Sequence, residues 1–166
     1  MKFSAHSRDD GSHEIRGVDI FVAHKRPAFV EVRHIPGYGG EPTEHVNPER
    51  DYGVDWIRKA LANTAKIEAS GWRIPLTAQY GQRRNWLIGF VHNAHEATRD
   101  DGVALIVADL VVTDADAMKL IRDGRLPFRS LCVNRPDEAP TLDEVMLLST
   151  GKPYHKMPLL LVEREA

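Results

Sequence analysis

DGVALIVADLVVTDADAMKLIRDGRLPFRSL, residues 101–131, is the stretch from which the architecture follows. Val103 to Val112 is almost uninterrupted in apolar and β-branched residues, which predicts a buried strand. Asp101-Gly102 just before it is a strong hairpin signal, because both residues tolerate the backbone angles a tight turn needs. Asp114 to about Asp123 then changes to helical spacing. Thr113 is placed to cap that helix, and Asp114 and Asp116 complement the positive end of its dipole. Gly124 closes it. Phe128 to Asn134 (FRSLCVN) returns to strand. The local order is therefore strand, helix, strand.

Working outward, IPLTAQ (74–79) and WLIGFVH (86–92) are two further strand candidates, and LDEVMLLS (142–149) is another. Val54 to Ala69 predicts a helix, with Val54, Ile57, Leu61 and Ala65 forming one apolar stripe and Gly71 at the C-terminal cap. Ile15 to Ala23 and Phe29 to Ile35 read as strands. Between them and the first helix lies PGYGGEPTEHVNPERDYG (36–53), dense in Gly and Pro, which reads as a long surface loop or arm ordered on a neighbour. Residues 1–12 read as a polar, frayed tail, and 13–166 as a single domain. Pro153 and Pro158 break up the C-terminal tail. Strands, helix, strands, helix, strands, with hairpins among them, predicts an α+β fold: a mostly antiparallel sheet or barrel with packed helices.

The chain has 166 residues, enough for one domain with its own core. With 22 Lys and Arg against 24 Asp and Glu, it carries a net charge of −2, so no sequence-independent grip on nucleic acid is expected. The single cysteine, Cys132, excludes an internal disulfide and fits a reducing cytoplasm. No stretch reads as a signal peptide or a membrane span. Trp56, Trp72 and Trp86 fall on three elements and read as packing residues. His92 and His95 form the one close histidine pair, with no third ligand beside it in sequence, so neither metal nor cofactor is assigned.

Several segments in order resemble the tailed-phage head-maturation (prohead) serine proteases, whose fold is shared with the herpesvirus assembly proteases. HEIRGVDIF resembles the family's first strand, and RIPLTAQYG followed by LIGFV its histidine-bearing segment. DGVALIVADLVVTDADAMKLIRDGRLPFRSL resembles the strand, acidic helix start, Ile-Arg-X-Gly helix end and serine-bearing strand. LDEVMLLSTGKP resembles the closing strand. The match covers roughly residues 13–153.

Carried over by this resemblance, Ser130 falls at the nucleophile and Glu144 at the orienting acid. The base falls at or next to Tyr80, where the family has histidine. A serine hydroxyl needs an adjacent base, and a tyrosine with a reference pKa of about 10 stays a protonated donor at neutral pH. Gln79, its neighbour, does not titrate. His92 and His95 are the candidates for a displaced base, since triads are defined by geometry rather than chain order. Cys132, two residues past Ser130, should share its strand face and reads as a buried, inert thiol.

Two functions follow as expectations. One is a non-catalytic phage head protein of protease-like fold, acting as decoration, cement or assembly factor. Its partners would be the major capsid protein, other head proteins or copies of itself, first in the host cytoplasm and then in the virion head. The other is an active serine endopeptidase that trims capsid or scaffold protein, with Ser130 as nucleophile, His92 or His95 as base and Glu144 as orienting acid.

Overall fold

The computed structural model describes residues 2–34, 39–136, 138–151 and 157–163. In chain order the elements are β1 (Ala5–Ser7), β2 (His13–Val22), β3 (His24–Arg26), β4 (Phe29–Arg33), β5 (Thr43–Asn47), β6 (Arg50–Tyr52) and α1 (Val54–Glu68). They continue with β7 (Ile74–Tyr80), β8 (Arg83–Thr98), β9 (Ala104–Val112), α2 (Ala115–Arg122), β10 (Phe128–Asn134) and β11 (Thr141–Leu148). Seven strands make one sheet in the order β1-β2-β9-β8-β7-β11-β10. Its neighbours are antiparallel except β11 and β7, which run parallel. The protein is thus α+β, with mostly antiparallel strands, a curled half-barrel sheet and two helices.

Burial drives this curl. Ile15, Leu76, Val91, Leu110 and Leu147 line one face of successive strands, and all are fully buried. Ile57 and Ala60 of α1 and Met118 and Ile121 of α2 join them in one core cluster. Alternation along each strand sends every second residue inward, which is why both helices can be served by a single sheet face. At Gly89 on β8, an added Cβ would stand 1.8 Å from the Val111 carbonyl oxygen, so only glycine lets β8 and β9 approach there.

Where expectation and structure differ, the cause is local pairing or packing. Within residues 1–12, β1 pairs with β2 and Phe3 is buried against the C-terminal segment through a bridge to Val162, so this is not a frayed tail. The expected loop 36–53 contains two strands: β5 pairs with β4, and β6 with β3. Residues 35–38 and Pro153 lie outside the described residues. The buried stripe of α1 is Ile57, Ala60 and Thr64, while Ala65 is exposed. Thr64 is tolerated inside because its hydroxyl donates to the Ala60 carbonyl and accepts the Leu142 N–H.

Asp114, not Thr113, caps α2: its side chain accepts the Ala117 N–H at 3.0 Å and also meets the Trp86 indole N–H. Thr113 instead donates to the Ile88 carbonyl. Strand β8 runs well past the expected 86–92 and carries His95 as well as His92. The Asp101-Gly102 turn is present, closing the hairpin between β8 and β9. Trp86 is buried, and Trp56 and Trp72 pack half-buried against the core. No helix among the described residues is long and apolar enough to cross a membrane.

Candidate functional site

Ser130 is exposed on β10, the last strand of the sheet. In register it faces Met146 on β11, which in turn faces Thr77 on β7. Paired residues share a sheet face, so Ser130, Met146 and Thr77 form one row. Glu144 pairs with Cys132 on that same face. The nucleophile and acid positions are therefore brought together, together with Cys132.

The residue in the row is a threonine. Thr77 Oγ1 donates to Glu144 Oε2 at 2.8 Å, so the carboxylate that would orient an imidazole is held by a hydroxyl. Burial, with the Glu144 charge next in weight, pushes the Cys132 thiol above its usual range and away from reactive thiolate. Tyr80 lies further along β7 and has the opposite parity to Thr77, turning it to the other face. Its hydroxyl accepts a hydrogen bond from Arg125 Nη1 at 3.0 Å. Gln79, rather than Tyr80, has the parity of Ser130.

Neither displaced-base candidate reaches this row. His92 and His95 are on β8, three strands from β10, which is about 14 Å around the sheet at the usual strand spacing. His92 Nε2 meets Glu14 Oε2 at 3.2 Å, and His95 Nδ1 meets the Asn93 carbonyl at 2.7 Å. Among the described residues, the imidazole that shares a cavity with Ser130 is His24. Both line a cavity of about 480 Å³, with Phe21, Tyr52, Trp56 and Leu131 among its walls. Nothing in the sequence spacing joins position 24 to position 130; only the closing of the half-barrel does.

That closing is held by a buried pair. Arg129 Nη2 donates to Asp19 Oδ1 at 2.7 Å, and Nη1 donates to the Pro158 carbonyl at 2.7 Å. Burial pulls the Arg129 guanidinium below its usual pKa, and the Asp19 charge works against that loss. The face of Ser130 can hold a small polar ligand by hydroxyl and carboxylate groups. As placed, it offers Ser130 no base in its own row. The described side chains that could jointly hold a metal ion are elsewhere: Glu14, His92 and Asp109.

The fold and this face define an α+β half-barrel with a serine-bearing edge strand. Compared with protein-family models, curated proteins and solved structures, the chain matches none.

Proposed function

We propose that the chain is a non-catalytic phage head protein of protease-like fold that binds the capsid shell as a decoration, cement or assembly factor. The observation that carries this reading is the β4–β5 ribbon. Val30 faces Val46, with Val32 two residues on, so the three fall on one side of the ribbon. They remain 58%, 64% and 55% exposed. A lone two-stranded hairpin is marginal in water, and a contiguous apolar strip on such a ribbon is a surface that a partner covers. The shell, another head protein or a second copy would supply that cover.

The non-catalytic half of the reading is supported by Thr77 and Glu144, which satisfy each other where a base would be needed. The protease-like half is supported by the order of segments in the sequence and by a serine and an acid on the paired strands β10 and β11. Mass spectrometry of purified phage heads tests the whole: the chain should be present, intact and in a copy number that matches a shell site. Its absence from heads at every stage of assembly would overturn the proposal.

One observation favours the alternative, a working serine endopeptidase. His24 Nδ1 donates to the Val22 carbonyl at 2.8 Å, which fixes the orientation of its ring. His24 and Ser130 line one cavity. A fluorophosphonate probe separates the two readings. Labelling of Ser130 that is lost in both Ser130→Ala and His24→Gln would establish the enzyme; no labelling at Ser130 supports the non-catalytic reading.

A further inference from the structure

A second group of side chains converges on the outer face of β9. Opposite Asp109 and Ala108, both flanking strands shift register: β2 between Ile15 and Val18, and β8 between His92 and His95. Bulges re-aim side chains and recur beside functional sites. Here they bring Glu14 of β2, His92 of β8 and Asp109 of β9 together, with one ligand atom from each lying within 4.8 Å of the others. Three adjacent strands of one sheet supply them, so the group is rigidly mounted.

Each carboxylate is also aimed from behind. Glu14 Oε1 accepts from Arg16, which leaves Oε2 toward His92. Asp109 Oδ1 accepts the Gly17 N–H at 2.9 Å, and Oδ2 accepts from Asn93 Nδ2 at 3.1 Å. Such outer hydrogen bonds are what orients metal ligands in known sites. Beside the group, a cavity of about 370 Å³ is lined by His92, Glu68, Trp72, Arg73 and Phe90, which provides room for further coordination.

We propose that Glu14, His92 and Asp109 form a binding site for a divalent first-row transition-metal ion of the Zn²⁺ or Mn²⁺ class, open toward the Glu68 cavity. One imidazole nitrogen with two carboxylate oxygens is a donor set these ions accept. Ligands at the usual bond lengths stand roughly 3–4 Å from one another around the ion. The 3.2 Å between His92 Nε2 and Glu14 Oε2 already has that spacing. On binding, the His92 ring takes its Nδ1–H tautomer, the proton exchanging through solvent, so that Nε2 presents its lone pair to the ion, and Glu14 Oε2 exchanges the imidazole for the metal. Mg²⁺ prefers an all-oxygen octahedron and should bind far more weakly. The site lies on β2, β8 and β9 and not on the β4–β5 ribbon, so its failure would leave the shell-binding reading standing.

The test uses the full chain after treatment with a chelator. Calorimetric titration with ZnCl₂, MnCl₂ and MgCl₂ is paired with the visible spectrum of added Co²⁺. One equivalent of Zn²⁺ or Mn²⁺ should bind, and Co²⁺ should show d–d bands. Affinity should fall at least tenfold in both His92→Ala and the milder Asp109→Asn, with circular dichroism verifying that each variant is folded. Should His92→Ala not fold, Glu14→Gln takes its place. Absence of stoichiometric binding, a smaller loss in the variants because the ion sits on other histidines, or equal binding of Mg²⁺ would each overturn the proposal.

Discussion

Arg129 and Asp19 show what a single buried pair contributes. The Arg129 side chain is 2% exposed and that of Asp19 12%, and the guanidinium also serves the Asp19 and Pro158 carbonyls. Removing one member of such a pair leaves the other charge uncompensated in low dielectric. Arg129→Ala should therefore cost about 3–5 kcal/mol in urea unfolding. Replacing both, as Asp19→Leu with Arg129→Met, should recover a large part of that loss, because two apolar side chains need no mutual compensation. A double variant as unstable as the single one would mean that the carbonyl contacts, not the charge pair, dominate. Buried Thr77 and half-buried Glu144 make the complementary point without a charge pair: one hydroxyl is enough to hold a carboxylate as a structural acceptor.

Elements differ in how far they depend on the rest. The β4–β5 ribbon is exposed along its whole length except Asn47, which is half-buried. On the shell-binding proposal, its amides should exchange quickly in the isolated chain and become protected in assembled heads. Equal protection in the two states would remove the ribbon from the interface. The β8–β9 turn carries its own charge dependence. Arg99, the backbone N–H of Val103 and the turn itself lower the Asp101 carboxyl to about 2. A depressed folded-state pKa adds stability that is fully present above the ordinary carboxylate range and is lost as pH falls through the folded value. The turn should keep its exchange protection at pH 5 and loosen between about pH 4 and pH 2. Asp101→Asn should remove that step, and persistence of the step in the variant would assign it to other carboxylates.

At the scale of the whole molecule, one core serves both helices and the large sheet. Trp56 on α1, Trp72 after it and Trp86 on β8 all pack against that core, so they report on the same cooperative unit. Thermal or urea unfolding followed by tryptophan fluorescence and by far-ultraviolet circular dichroism should coincide in a single transition. Separated midpoints would show that part of the sheet unfolds independently of the helices.

Residues near one another in the chain specified much of this protein. The apolar run ending at Val112, the capped helix after it, the Asp101-Gly102 turn and the FRSLCVN strand are written in periodicity and turn chemistry, which act over a few residues. The strands of the arm were not legible. TEHVN and RDY are short and polar, and they become strands because β4 and β3 offer them backbone partners. The candidate site divides the same way. Ser130 and Glu144 could be placed on two successive strands from sequence, but only the pairing of β10 with β11, and of β11 in parallel with β7, puts Thr77, and not Tyr80, in the serine's row. His24 beside Ser130, and Glu14 and Asp109 beside His92, likewise depend on how the sheet curls and where it bulges. Strand pairing and register are chosen by burial summed over the entire sheet, so no local pattern could announce which distant side chains would meet.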